Sequence, residues 1–197
     1  MTLNRRLLIT GFEPFGGETV NPSWQAVEAL PDQIGSWELT KLQVPVIYGK
    51  AAQRVLELAE SIRPDAVLCV GQAAGRAAVT PEYIAINLRS AANPDNAGYL
   101  AEEEPVDPAG PDAIFSTLPV RSMAAAIREA GLPGTVSFTA GTYVCNDLLY
   151  LLLRRYAGTP VRVGFVHVPL LPEQAKGRPS KPLEEICGAL TAAISAI

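Results

Sequence analysis

Cys145 and His167 lie 22 residues apart, in the segments AGTYVCNDLLY and RVGFVHVPL, and His167 is the chain's single histidine. Any imidazole chemistry must therefore use His167. A thiol beside an imidazole is suited to acyl transfer. The imidazole takes the thiol proton, the sulfur attacks a carbonyl, and the imidazole returns a proton to the leaving amine. Cys145 follows a Gly-Thr turn and precedes the helical run NDLLYLLLRRY, so it is expected at a helix N-terminus. Free N–H groups and the helix dipole there would favour a thiolate with a lowered pKa. The same groups could stabilise an oxyanion. His167 is expected near the carboxyl end of a strand, the edge where open α/β sheets form their sites. Taken singly, each residue has a plainer account, a small packing cysteine and a hydrogen-bonded structural histidine. Together they meet the needs of a thiol–imidazole pair.

A third group should orient the imidazole. The candidates are Glu82, Asp147, Asp65 and Glu13. Glu82 opens an expected strand over residues 82–89 with Ile84, Ile86 and Leu88 on one face. A carboxylate at the mouth of an apolar face needs a partner, which an imidazolium would supply. Asp147 is expected in the first helical turn, where a carboxylate suits the dipole and needs no further role. The segment GFEPFGGETVNPS has neither phosphate-loop spacing. Its Phe12 and Phe15 flank a turn and suit either the walls of a small flat pocket or a hydrophobic plug.

The remaining elements must hold these groups. Strands are expected at residues 7–10, 37–46, 66–70, 135–139 and 161–168. Helices are expected from Asn21-Pro22 to about residue 30, and at residues 49–62, 120–130, 144–156 and 183–197. Asn21 reads as an N-cap and Gly131 as a C-terminal stop. Apolar strands alternating with helices argue for a parallel sheet covered on both faces. Residues 90–120 hold six acidic residues, five prolines and no Lys or Arg, and read as a solvent-exposed excursion. Residues 169–182 hold four prolines and follow His167 directly, so they form either a site cover or a plain connection.

With 197 residues, 48% of them apolar, the chain has room for one folded domain, residues 1–197. A net charge of −4 without a Lys/Arg cluster argues against nucleic acid. No apolar run approaches the ~18 residues of a membrane helix, and the start MTLNRRLLITGF is too short of apolar residues for a signal segment. A cytoplasmic protein is expected. Three cysteines without CxxC spacing argue against a disulfide framework or a thiolate zinc site. Cys69, in DAVLCVG, reads as core. Cys187, in EEICGALTAAISAI, reads as core or subunit interface.

Five segments, in order along the chain, resemble the pyroglutamyl peptidase I family of cysteine peptidases: GFEPFGGETVNPS, GQAAGRAAVTPEYIAIN, NPDNAG, AGTYVCN and HVPLLPEQ. The resemblance implies a three-layer α/β/α sandwich with an open, twisted, mostly parallel sheet. It implies a triad of Cys145 as nucleophile, His167 as base and acid, and Glu82 as orienting carboxylate. Phe12 and Phe15 would sandwich a pyrrolidone ring, with Gln72 and the backbone around Tyr143 and Val144 beside it. The implied reaction removes an N-terminal pyroglutamyl residue through a thioester, without metal or organic cofactor, in a homotetramer. Two positions depart from the family pattern. Ala92 stands where arginine is usual, and Asp147 where histidine is frequent. The Ala92 departure keeps open a ring-binding homologue without turnover, and a cysteine amidase for another acyl group is a separate alternative.

Overall fold

The computed structural model describes residues 5–197; the reading of the chain's start rests partly on residues 1–4, outside that range. β1 (Arg5–Phe12) leads through a glycine-containing loop to α1 (Pro22–Ala29). The Asn21 side chain accepts a hydrogen bond from the Ser23 N–H, and Pro22 occupies the first helical position, as the Asn-Pro pair predicts. β2 (Gln33–Ile34) and β3 (Trp37–Val44) follow. β3 stops before Pro45, short of the expected residue 46, because proline has no N–H for the ladder. α2 (Lys50–Ile62) buries Ala52, Val55 and Ala59 along one face.

Next come β4 (Ala66–Gln72), β5 (Thr80–Pro81), β6 (Ile84–Ile86), β7 (Ala113–Phe115) and α3 (Val120–Glu129). The chain ends with α4 (Val144–Arg155), β8 (Arg162–Val168) and α5 (Leu183–Ser195). The main sheet has the order β2-β3-β1-β4-β8-β5. Its four central strands are parallel, and β2 and β5 close the edges antiparallel.

Side chains alternate across this sheet with the strand period of two. Leu7, Ile9, Leu68, Val70, Val166 and Val168 face the layer of α1, α3 and α5. Leu8, Val67, Cys69, Val163 and Phe165 face α2 and α4. The result is the expected three-layer α/β/α sandwich. None of the described helices is long and apolar enough to cross a membrane.

Three expectations need correction. The strand predicted for residues 82–89 is only the three-residue β6. It pairs with β7 in a separate ribbon, and it is Ala85 that is buried, while Ile84 and Ile86 are half-exposed. The buried Asn146 side chain accepts from the Ile86 N–H and donates to the carbonyls of Ile86 and Leu88. Those backbone groups are thus satisfied by a side chain rather than a longer ladder. The strand predicted for residues 135–139 is irregular and touches the edge through two isolated bridges, Val79 to Gly134 and Glu82 to Ser137. The Ser137 hydroxyl donates to the Thr139 carbonyl and accepts from the Thr139 N–H, an alternative to ladder pairing. Residues 90–120 contain β7 and bury Ala101 and Val106, so the excursion is partly packed.

Candidate active site

Three adjacent parallel strands, β1, β4 and β8, end side by side, and their last residues include Phe12, Gln72 and His167. His167 has the parity of Val163 and Phe165, so its ring points to the α4 layer. Cys145 is the second residue of α4. Gly71 is the in-register neighbour of His167. A Cβ on Gly71 would lie 2.7 Å from the Phe165 ring and 2.9 Å from the Cys145 sulfur. The missing side chain is therefore what lets the thiol settle onto the sheet beside His167.

Glu82 follows the edge strand β5, whose Thr80 pairs with His167, and the Glu82 N–H donates to the Phe165 carbonyl at 2.9 Å. Its side chain is fully buried. Glu82 Oε1 lies 2.7 Å from His167 Nδ1 and accepts from Arg76 Nη1 at 2.6 Å. Because Nδ1 is bound to Glu82, Nε2 is the nitrogen left for proton transfer. Desolvation of the buried ring lowers the His167 pKa, opposed by the hydrogen bond and charge of Glu82 and assisted by the Arg76 cation. The resting imidazole is a neutral base.

The expectation of a lowered thiol pKa is overturned. Burial pushes the Cys145 thiol up to about 12, the Glu82 and Cys69 side chains add to the rise, and Arg76 and the Cys145 backbone only partly offset it. With its pKa raised, the thiol relies on proton removal as it attacks.

One cavity of about 340 Å³ joins these groups. Cys145, His167 and Arg76 lie on it together with Phe12, Phe15, Gln72, Tyr143 and Val144. The loop before α1 is braced so that its aromatics reach the cavity. Ser23 Oγ accepts from the Phe12 N–H at 2.9 Å, and Asn21 Nδ2 donates to the Glu13 carbonyl at 2.9 Å. Gly16 and Gly17, with φ of 63° and 81°, turn the chain after Phe15 as few other residues could. Phe12 packs on Phe165 with centroids 6.4 Å apart, and Phe15 on Tyr143 at 6.2 Å. Gln72 Oε1 accepts from Gln174 Nε2 at 3.3 Å, so the segment after His167 does reach the site.

Of the candidate carboxylates, only Glu82 meets the imidazole. Asp65 precedes β4 at the opposite end of the sheet and accepts from the Arg6 N–H at 2.7 Å. Glu13 accepts from the Val46 N–H and from Asn96 Nδ2. Asp147 does more than complement the dipole. It is buried, accepts from the Gly49 N–H at 2.8 Å, and takes Nε and Nη2 of Arg89 on Oδ1, both at 2.6 Å. Arg89 is thereby committed and cannot stand in for a charge at Ala92. Ala92 itself is exposed and lies on a neighbouring cavity, which shares the walls Phe15 and Tyr143. Sequence reasoning missed Arg76 and Asn146. The signal for Arg76 was a lone cation in GQAAGRAAVTPE, six residues before Glu82.

A family model described as pyroglutamyl peptidase matches residues 5–197. The pyrrolidone-carboxylate peptidase of Levilactobacillus brevis is 50% identical over 197 residues, covering 98% of this chain and 97% of its own. That of Thermococcus onnurineus is 48% identical over 185 residues, 92% of each chain. The crystal structure of Bacillus amyloliquefaciens pyroglutamyl peptidase I superposes with a TM-score of 0.94 at 41% identity, over 98% of this chain and 96% of that one. With a match of this extent, the chain belongs to the pyroglutamyl peptidase family.

Proposed function

We propose that the protein is a cysteine exopeptidase that removes an N-terminal pyroglutamyl (5-oxoproline) residue from peptides. The observation that carries the proposal is the aromatic-walled cavity in which Cys145 faces the site beside the Glu82-bound imidazole. In the proposed reaction His167 Nε2 takes the Cys145 proton as the sulfur attacks the carbonyl that joins the pyroglutamyl residue to the next one. N–H groups of the first turn of α4, at Val144 and Cys145, stabilise the oxyanion. The imidazolium, held by Glu82, protonates the leaving amine, and a thioester remains. Water, deprotonated by His167, releases 5-oxoproline. Phe12 and Phe15 suit the two faces of the flat ring, and Gln72 and the backbone at Tyr143 and Val144 suit the ring amide.

The whole chain, residues 1–197, would act as one catalytic domain. A thiol that must stay reduced suits a cytoplasmic location. A homo-oligomer, on family expectation a tetramer, completes the reading.

The test is hydrolysis of a pyroglutamyl fluorogenic amide under thiol reductant. Turnover should be lost in Cys145→Ser and kept in Cys69→Ser and Cys187→Ser, since a serine hydroxyl has a far higher pKa than the thiol. Prolyl amides, with a cationic ring nitrogen and no ring carbonyl, should be cleaved at least about a hundredfold more slowly, the scale of two lost hydrogen bonds in a desolvated pocket. Folded, reduced protein that binds the substrate without turnover would make this a binding homologue. Equal cleavage of prolyl amides would make it an amidase of another specificity.

A further inference from the structure

Arg76 lies in the turn after β4, and its guanidinium reaches three partners in three directions. Nη1 donates to Glu82 Oε1 at 2.6 Å and also to Thr80 Oγ1, while Nη2 donates to the Thr139 carbonyl at 3.0 Å. Glu82 Oε1 is the same atom that meets His167 Nδ1, and Oε2 has no hydrogen-bond partner among the described residues. Both donors thus converge on one oxygen of a fully buried carboxylate. Rotating the carboxylate toward either donor would break its bond to the other, so the pair of donors fixes its orientation. Thr139, Ala140 and Gly141 form one wall of the Cys145 cavity. The arm of Arg76 on Thr139 joins that wall to the carboxylate.

We infer that Arg76 is a positioning residue for catalysis: one arm of its guanidinium fixes the Glu82 oxygen that orients the imidazole, and the other holds the Thr139 wall of the substrate cavity. This rests on the catalytic reading of Cys145, His167 and Glu82. The two arms have separable consequences. The charged and titratable groups facing His167 are Glu82 from the β5–β6 connection, Arg76 from the turn after β4, and Cys145 from α4. Glu82 favours the imidazolium and Arg76 opposes it. Without the Arg76 cation, the buried carboxylate has only the imidazole to pair with, so His167 takes up its proton at higher pH. Without the Thr139 arm, the cavity wall loosens and substrate is held less well.

The experiment compares Arg76→Gln and Arg76→Lys with wild type in the full chain, using a pyroglutamyl fluorogenic amide and the pH profile of kcat/KM. Arg76→Gln should move the acidic limb upward by about half a pH unit or more and lower kcat about tenfold, on the scale of a disturbed general base. Arg76→Lys keeps the charge beside Glu82 but loses the fork. It should leave the limb in place, recover most of kcat and raise KM severalfold. A folded Arg76→Gln protein whose acidic limb stays put or moves downward overturns the inference. If that variant does not fold, an Arg76→Lys protein with wild-type KM overturns it. Failure of the catalytic reading would be seen separately, as turnover surviving in Cys145→Ser.

Discussion

With its thiol pKa raised by burial rather than lowered, Cys145 depends on its neighbour to take the proton at the moment of attack. That neighbour is prepared for the task. His167 is buried, neutral and bound through Nδ1 to a carboxylate, which leaves the other nitrogen free to accept a proton. Because its pKa is lowered from the ordinary 6.5, the base form persists below that pH. The acidic limb of kcat/KM is therefore expected below 6.5, and a pH–rate profile with the limb at or above that value would contradict the neutral-base arrangement. Ala92 gives a second prediction at this scale. Its position is exposed, at the rim of the cavity beyond Phe15 and Tyr143, so a charge there is screened. Ala92→Arg should raise kcat/KM by no more than about fivefold, the scale of an exposed charge worth up to ~1 kcal/mol. Unchanged or lower turnover in the folded variant would mean that no charge is missed. Arg89→Ala is expected to act differently, by stranding the buried Asp147 carboxylate, and should lower the melting temperature rather than change substrate discrimination.

The elements decide whether these residues can meet. The parallel register of β4 and β8 puts Gly71 beside His167, and the start of α4 puts the Cys145 sulfur over Gly71. Gly71→Ala would force the Phe165 ring and the thiol apart, since no real Cβ sits 2.7 Å from a ring carbon. We expect a loss of stability of about 1–3 kcal/mol from overpacking and a fall in kcat/KM of about a hundredfold from the displaced nucleophile. Thermal melts and steady-state kinetics on one preparation check both, and near-wild-type turnover would show that the close approach is not needed. The buried strands and the helix starts were legible in the sequence because their signals are local: apolar runs, Asn-Pro, a Gly-Thr turn before a helical run. Glu82 could be placed near the imidazole from residue types, but its supports could not. β5 is two residues long and exists only because it borders β8, and the 82–88 segment is held by the Asn146 side chain, 60 residues distant from Ile86. Such contacts leave no periodic trace. The Arg76 fork was hidden for the same reason.

At the scale of the whole molecule, self-association would have to use a surface other than the last helix. By sequence, Cys187 in the apolar last helix reads as core or subunit interface. In the fold, α5 buries Ile186, Ala189, Leu190, Ala193 and Ile194 against the chain's own core, so its composition needs no partner. The aromatic surface lies elsewhere. Phe115 is 62% exposed and Phe138 61% exposed, and their rings flank Tyr83 at 5.5 and 5.6 Å. Large aromatics are costly to leave in water and carry much of the binding energy where they are covered. Covering this patch between copies of the chain would bury two large, mostly exposed aromatic rings. Light scattering at micromolar concentration should give a mass above that of one 20.9 kDa chain. The double variant Phe115→Ser, Phe138→Ser should lower that mass while leaving the fold intact by circular dichroism, because neither ring belongs to the core clusters. A wild-type monomer would remove the oligomer from the proposal. An oligomer unaffected by the double substitution would place the contact on another face.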